Sequence, residues 1–250
     1  MSVLRLRQRR LFYRSRLFRE LAAAAAWPRR RTTAPDLVHL AFYDEITWGP
    51  VQRDEALFLH ALVRAVRPEV VLEIGFLHGD SAFNFLRAMD ADARLYSFDV
   101  DPACAAVASD RLGHDPRFVF RTRSQDALTR EDIGGRLADF VFLDAAHDLG
   151  LNEATFERLL ELTAPEAILA IHDTGAIPRA LVPAGHWTLG VTERWAGDDY
   201  EHQPDERAFV NRLLERHPEF SQVHVHSRRA FRHGLTLVQR SRRLARPRTP

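Results

Sequence analysis

Apolar runs of strand length alternate with helix-length amphipathic segments through most of the chain. The first run, Val70–Ile74, is followed by a segment of helical pattern at Ser81–Met89. The later runs of strand length are Leu95–Phe98, Phe118–Phe120, Phe140–Leu143 and Ala167–Ile171. Strands that are apolar on both faces are typical of a mainly parallel sheet covered by helices on both sides. The pattern therefore predicts an α/β fold.

Further segments of helical pattern predict the remaining covering helices. They are Arg53–Val66, Pro102–Leu112, a segment starting near Gln125, Asn152–Leu162 and Glu206–Arg216. Pro165 marks the end of the fourth of these helices. Two strands, Gln222–His226 and Leu235–Gln239, are joined by a turn that contains Gly234. This arrangement predicts an antiparallel hairpin at the edge of the sheet.

Changes in composition set the predicted domain limits. Residues 1–35 are rich in Arg, with Pro28 and Pro35 near their end, and predict a basic N-terminal extension with a linker, whereas residues 36–240 predict one domain. Within that domain, the pattern weakens over residues 175–206, where prolines and glycines accompany Trp187 and Trp195. We interpret this stretch as a lid or substrate loop, and residues 241–250 as a basic tail.

Charge is distributed unevenly, although 35 basic and 34 acidic residues give a net charge of only +1. Met1–Arg31 contains ten Arg and one Glu, and Arg228–Pro250 contains eight Arg and no acidic residue. Such ends can bind nucleic acid, an anionic membrane or an acidic partner, but solvated basic tails are common. We do not expect a nucleic-acid partner. Peripheral membrane contact through a basic helix at Arg5–Ala26 and oligomer formation stay open.

The number of cysteines limits which covalent links, metal sites and cellular compartment are expected for the chain. Cys104 is the only cysteine, which excludes an intrachain disulfide and a zinc site built from several thiolates. Its Ala-rich helical surroundings indicate a small core residue rather than a nucleophile. The chain also contains no run of about 18 apolar residues that would predict a membrane span. Together these features favour a cytoplasmic protein.

A carboxylate and two glycines mark the end of the first predicted strand. Glu73 and Gly75 lie at its carboxyl end, and Gly79 and Ser81 lead into the next helix. Glycines allow a backbone to approach a ligand closely, and a helix N-terminus presents oriented N–H groups. The spacing is not that of G-x-G-x-x-G, and the chain has no lysine for a phosphate-binding loop. The acidic residue instead suits the cationic group of an amino acid.

A second carboxylate, Asp99, ends the next strand, where it could accept hydrogen bonds from both hydroxyls of a ribose. With these motifs, residues 53–240 resemble the class I S-adenosylmethionine-dependent methyltransferases. The resemblance implies a Rossmann-like seven-stranded mixed sheet, with strand order 3-2-1-4-5-7-6 and an antiparallel last strand. It also implies S-adenosyl-L-methionine as the cofactor.

Three later segments sharpen the resemblance. Thr122–Asp126 is similar to the part of catechol O-methyltransferases in which the residues at Ser124 and Gln125 lie against adenine. In the same enzymes, the positions of Asp144, His172 and Asp173 bind Mg²⁺, and the position of His147 holds the catalytic base. A histidine at the base position resembles the macrolide and sugar O-methyltransferases and their cephalosporin-hydroxylase-like relatives.

His172 departs from the better-known metal-dependent relatives, which carry a carboxylate at this position. Because Mg²⁺ prefers oxygen ligands, either the ion is softer, such as Mn²⁺, or His172 is not a ligand. In the second case His172 would contact the substrate or a ligand residue, or simply bond to backbone. The sequence therefore predicts a divalent cation, Mg²⁺ or Mn²⁺, and leaves open whether His172 binds it.

These observations lead to one main hypothesis and two alternatives. The main one is an O-methyltransferase for a small hydroxylated acceptor, such as a sugar or a natural product, with His147 as general base. The alternatives are a NAD-binding Rossmann oxidoreductase, which the missing third glycine opposes, and a catalytically silent binding module that uses its Arg-rich ends. His224 and His226 could bind metal from one strand face, but a solvated edge strand is favoured.

Overall fold

The computed structural model describes residue 51 and residues 53–178, 200–202, 204–225 and 234–241. All of them belong to the compact unit that begins at Val51. The described helices are α1 (Arg53–Val66), α2 (Asp80–Ala88), α3 (Ala103–Leu112), α4 (Leu149–Leu162) and α5 (Pro204–Arg216). The first five strands are β1 (Val70–Ile74), β2 (Arg94–Asp99), β3 (Phe118–Thr122), β4 (Ala138–Leu143) and β5 (Thr163–His172). They are followed by β6 (Ala176–Pro178), β7 (Tyr200–His202), β8 (Phe220–Val225) and β9 (Leu235–Arg240).

Seven of these strands form the main sheet in the order β3-β2-β1-β4-β5-β9-β8. The pairs among β1 to β5 are parallel, whereas β9 pairs antiparallel with both β5 and β8. Counting only these seven strands along the chain, the order is 3-2-1-4-5-7-6. The predicted fold, including the antiparallel hairpin at the edge, is therefore confirmed.

Apolar side chains cover both faces of the sheet. Leu72 on β1 and Val141 on β4 join Phe156 of α4 and Phe209 of α5 in one buried cluster. On the other face, the ring of Phe85 from α2 packs edge-on against Phe140 and Phe142 of β4. The alternation of strand side chains between two buried faces explains why these strands read as continuous apolar runs.

Two predictions of secondary structure were wrong: the helix near Gln125 and the start of the strand that contains Pro165. No long helix starts near Gln125; the described chain has instead two three-residue 3-10 turns, Gln125–Ala127 and Glu131–Ile133. Strand β5 begins at Thr163, before the predicted start, and includes Pro165. The register between β4 and β5 shifts in this stretch, and an irregularity of that kind is where a strand tolerates proline.

The predicted lid lies partly outside the described residues. Several other predicted features lie wholly outside them: the N-terminal extension, residues 242–250, Trp187, Trp195 and His226. The two ends of the lid are described, and they pair as the antiparallel strands β6 and β7. Among the described residues, no helix is both long and apolar enough to cross a membrane.

Candidate active site

The predicted site residues lie at or just beyond the carboxyl ends of β1, β2, β3, β4 and β5. Parallel strands place all these ends at one edge of the sheet, where open α/β folds bind their ligands. The residues fall into two groups. The predicted cofactor residues surround the loops after β1, β2 and β3, and the predicted metal and base residues follow β4 and β5.

Glu73 is fully buried near the end of β1 and is held by two serine hydroxyls. Ser81 at the start of α2 and Ser97 on β2 each donate a hydrogen bond to its carboxylate. Burial raises the pKa of Glu73 to about 8, against the lowering effect of the two serines. An incoming cation would favour the ionised form, so this carboxylate is suited to a positively charged ligand group.

Gly75 and Gly79 are required by the path of the chain itself. Gly75 has φ +100°, and a Cβ atom there would lie 1.9 Å from the carbonyl oxygen of Asp144. Gly79 has φ +76°, and a Cβ atom there would lie 2.5 Å from the ring of Phe76. A Cβ atom at either position would therefore collide with the protein itself, whether or not a ligand also approaches this loop.

Asp99 organises the loop between β1 and α2. Its Oδ2 accepts hydrogen bonds from the N–H groups of Phe76 and Leu77, both at 3.0 Å, and its Oδ1 accepts one from Asp101 at 3.0 Å. Burial acts to raise the pKa of Asp99, but these backbone bonds outweigh it, so the pKa is lowered. Asp99 is therefore an anionic acceptor beside the loop, as a ribose site would need.

Ser124 and Gln125 lie after β3 and differ in their surroundings. The Ser124 hydroxyl bonds to the carboxylate of Asp126. The Gln125 side chain is buried, and its amide nitrogen donates to Asn152 at 3.1 Å and to Thr155 at 2.8 Å, both on α4. Its amide oxygen accepts from the N–H of Ala146 at 3.3 Å. Because its polar atoms bond to protein, Gln125 would contribute packing rather than hydrogen bonds to an adenine.

Asp144, His172 and Asp173 form a cluster in which one ligand atom from each lies within 4.8 Å of the others. His172 Nδ1 lies 3.2 Å from an oxygen of each aspartate. Asp173 has φ +58°, a conformation that aspartate tolerates better than most residues and that turns the chain at the end of β5. The three predicted metal ligands thus converge on one point.

Glu55 was not predicted, yet it contacts this cluster from α1. It is fully buried, and its Oε2 lies 3.1 Å from Nε2 of His172. Burial acts to lower the pKa of His172, but the charges of Asp144 and Asp173 and the bonds from Asp144 and Glu55 raise it well above its usual range. Without a metal ion, His172 is accordingly a cation among carboxylates.

His147 lies beside the cluster and bonds to a second unpredicted carboxylate. Its Nδ1 forms a hydrogen bond with Glu206 of α5, and its Nε2 lies 3.8 Å from Asp173. Burial acts to lower the pKa of His147, but Glu206, followed by Asp173 and Asp144, raises it to about 9. The predicted base is therefore close to the metal residues and held by a buried glutamate.

Two other candidates have structural roles. His224 bonds to Thr236 at 2.8 Å and to Arg207 at 3.0 Å, which places it in a polar network rather than on a solvated strand edge. Cys104 is buried, and its thiol contacts the carbonyl oxygen of Leu77 at 3.4 Å. Burial raises the pKa of this thiol to about 11, so it is a poor nucleophile, as predicted.

Comparison with known proteins supports the methyltransferase resemblance. Residues 72–174, which include nearly all the site residues, match the family described as "Methyltransferase domain". The chain is 28% identical over 159 residues to tapetum-specific methyltransferase 1 of Arabidopsis thaliana. It is 30% identical over 124 residues to catechol O-methyltransferase of Niastella koreensis. These matches cover 60% and 48% of this chain, and 66% and 55% of the two relatives.

Residues 72–174 match a methyltransferase domain, and the chain resembles the class I S-adenosylmethionine-dependent methyltransferases. Solved structures show the same fold: the O-methyltransferase TomG of Streptomyces achromogenes, in complex with SAM, is 24% identical with a TM-score of 0.60. That match covers 84% of this chain and 91% of TomG. An O-methyltransferase of Bacillus cereus in complex with SAH is 19% identical with a TM-score of 0.61, covering 87% of this chain and 97% of the other.

Glu55 and Glu206 are the residues that the structure adds to the predicted site. Both are on helices outside the matched residues 72–174, and both lie beside predicted site histidines. No motif marks either residue in the sequence. A glutamate on a helix is most often solvated, so only the packing of α1 and α5 against the sheet reveals these two.

Proposed function

We propose that this methyltransferase transfers the methyl group of S-adenosylmethionine to a hydroxyl of a small acceptor with the help of a divalent cation. The observation that carries the proposal is the convergence of Asp144, His172 and Asp173 beside His147. The loop at Glu73 and Asp99 lies at the same edge of the sheet. A methyl donor bound at the loop would therefore be close to both a cation and a base.

The loop after β1 offers complementary groups for the cofactor. Glu73 would pair with the amino group of the methionine part, and Asp99 would accept bonds from the ribose hydroxyls. The loop is held in shape because the N–H groups of Gly75, Phe76, Leu77 and Gly79 all bond to protein acceptors. A rigid site of this kind lowers the entropic cost of binding.

The donor atoms of the cluster fit a divalent cation. Two carboxylates and one imidazole meet around one point, and the negative charges of Asp144 and Asp173 would be offset by an ion there. When bound, such an ion would lower the pKa of an acceptor hydroxyl. The cation-free cluster also explains part of the high pKa of His147, because both aspartates raise it.

His147 is the residue we assign as the general base. Its bond to Glu206 fixes the ring through Nδ1 and directs Nε2 toward Asp173 and the cluster. Base function requires the neutral imidazole, and a positive charge at the two aspartates would lower the pKa of His147 toward neutrality. The proton leaving the acceptor would then pass to Nε2, with Glu206 stabilising the resulting imidazolium.

The segment that follows Asp173 is suited to select the acceptor. We assign acceptor selection to residues 175–206, because β6 at the start of this segment begins two residues after Thr174 and pairs with β7 near its end. TomG is involved in tomaymycin synthesis, which makes a natural-product hydroxyl a reasonable first class of acceptors to assay. Sugars with free hydroxyls form the second class.

Calorimetry with S-adenosylhomocysteine tests the cofactor assignment. We expect binding to the wild type and binding weakened by about tenfold or more in Asp99→Ala. Asp139→Ala is the matched control, because Asp139 also accepts two backbone N–H bonds, from Glu69 and Val70, but at the opposite edge of the sheet. Binding of NAD in place of S-adenosylhomocysteine would contradict the proposal and favour an oxidoreductase.

Methyl transfer to a panel of hydroxylated acceptors tests the chemical assignment. We expect transfer that EDTA abolishes, that added divalent cation restores, and that His147→Ala slows by about 100-fold or more. Transfer that is insensitive to EDTA in the wild type would contradict the role of the cation. A near-normal rate in His147→Ala would contradict the role of the base.

A further inference from the structure

Glu55 is held in a fixed position beside His172. One carboxylate oxygen, Oε1, accepts a hydrogen bond from the N–H of Gly234 at 3.0 Å, before β9. The other oxygen, Oε2, lies 3.1 Å from Nε2 of His172. Glu55 and His172 are 117 residues apart in the chain, and both are buried. The helix α1 thus presents a carboxylate to the side of His172 that faces away from the aspartates.

This contact determines which ring nitrogen of His172 can bind an ion. A carboxylate beside Nε2 favours a proton on that nitrogen, because the N–H can then donate to Glu55. In that tautomer, Nδ1 would keep its lone pair for an ion held together with Asp144 and Asp173, each of which has an oxygen 3.2 Å from Nδ1. Histidines that bind metals are commonly oriented by a carboxylate on the other nitrogen in this way.

A nitrogen ligand changes the kind of ion that the cluster prefers. Mg²⁺ favours a shell of oxygen atoms, whereas imidazole together with carboxylates suits Mn²⁺ and other first-row transition metals. The alternative arrangement is a protonated His172 that bridges the carboxylates in place of any ion. The two arrangements differ in whether Nδ1 coordinates a metal.

We propose that Glu55 is a positioning residue that fixes His172 as an Nδ1 ligand, and that the Asp144–His172–Asp173 cluster therefore prefers a transition-metal dication over Mg²⁺. This inference deepens the proposed function and rests on it for the role of the cation. It assigns an orienting residue from α1 and a class of ion to the site.

The experiment measures Mn²⁺ and Mg²⁺ binding to the full chain after removal of bound metals. Electron paramagnetic resonance of free Mn²⁺ gives the Mn²⁺ affinity, and competition gives the Mg²⁺ affinity. Pulsed resonance on bound Mn²⁺ detects coupling to a coordinated imidazole nitrogen. The variants are His172→Asn and Glu55→Gln. Glu157→Gln is the matched control, because Glu157 also contacts a histidine Nε2 at 3.1 Å, that of His217, away from the site.

We expect wild-type protein to bind Mn²⁺ more than about tenfold more tightly than Mg²⁺ and to show the nitrogen coupling. His172→Asn should lose the coupling and most of the preference. Glu55→Gln should weaken Mn²⁺ binding by about 10- to 100-fold while weakening Mg²⁺ less, and Glu157→Gln should change neither. The ratio of the two affinities is informative because a general loss of folding in Glu55→Gln would reduce both together.

Three results would overturn the proposal. They are equal affinity for the two ions in the wild type, bound Mn²⁺ without nitrogen coupling, and an unchanged affinity ratio in Glu55→Gln protein that still binds S-adenosylhomocysteine. Failure of the wild type to bind either ion would also overturn it and favour the protonated bridge. Calorimetry with S-adenosylhomocysteine on the same samples separates the outcomes, since retained cofactor binding leaves the methyltransferase assignment intact when the metal inference fails.

Discussion

Replacing Gly75 with alanine tests how closely the ends of β1 and β4 are packed. The alanine Cβ would lie 1.9 Å from the carbonyl oxygen of Asp144 and 2.6 Å from its carbonyl carbon. An ordinary carbon–oxygen contact is about 3.3 Å, so the two backbones would have to separate by about 1.4 Å. Both neighbours are backbone atoms, which cannot rotate away as a side chain could.

The structure allows the cost to be estimated in two parts. A left-handed backbone conformation costs an alanine about 1–2 kcal/mol relative to glycine. Moving Gly75 by that distance would also disrupt two backbone hydrogen bonds beside it, from Gly75 N–H to Phe98 of β2 and from Asp144 N–H to Ile74 of β1, at about 1 kcal/mol each. We therefore expect Gly75→Ala to lower the free energy of unfolding by about 3–4 kcal/mol.

Gly135→Ala supplies the matched control. Gly135 also has a positive φ, +73°, but a Cβ atom there would meet nothing within 4 Å. This variant should show only the conformational cost of about 1–2 kcal/mol. Urea unfolding followed by circular dichroism gives both values. If Gly75→Ala costs no more than Gly135→Ala, the close packing of β1 against Asp144 does not govern this glycine.

Three further predictions concern single side chains. Because the pKa of His147 rises from 6.5 to about 9 on folding, its pairing with Glu206 stabilises the fold fully below about pH 6.5 and this contribution is lost as the pH rises through 9. The unfolding free-energy difference between wild type and Glu206→Gln should therefore shrink over that range, and a pH-independent difference would contradict the pairing. Because burial raises the pKa of Cys104 to about 11, iodoacetamide should alkylate native protein at least about tenfold more slowly than urea-unfolded protein, and equal rates would refute this. Asp99→Ala should lower the affinity for S-adenosylhomocysteine by about tenfold or more, because the loop after β1 loses the acceptor of its Phe76 and Leu77 N–H groups; unchanged affinity would contradict that role.

The sheet and the approximate positions of the site were predictable because both depend on local patterns. Buried parallel strands appear as apolar runs, and the residues after them meet at one edge in any fold of this class. Asp144, His172 and Asp173 could be placed together on that basis, and the structure brings them within 4.8 Å of one another. The turn at Gln125 was mistaken for a helix because its buried hydrogen bonds to α4 are not visible in the sequence.

The sequence could not predict which carboxylates contact His172 and His147. Glu55 and Glu206 act across 117 and 59 residues of chain, and neither sits in a motif. Their roles depend on how α1 and α5 pack against the sheet. The same holds for the steric need for glycine at position 75, because the close approach of Asp144, just after β4, is visible only in the three-dimensional arrangement.

The most direct test of the proposed function is a crystal structure of the protein with S-adenosylhomocysteine and Mn²⁺, with data collected to reveal anomalous scattering from manganese. We expect the amino group of the cofactor product at Glu73, its ribose at Asp99, and a manganese peak among Asp144, His172 and Asp173. Cofactor bound away from the loop after β1, or a cluster that stays without manganese while the cofactor is bound, would contradict the proposed arrangement of donor, cation and base.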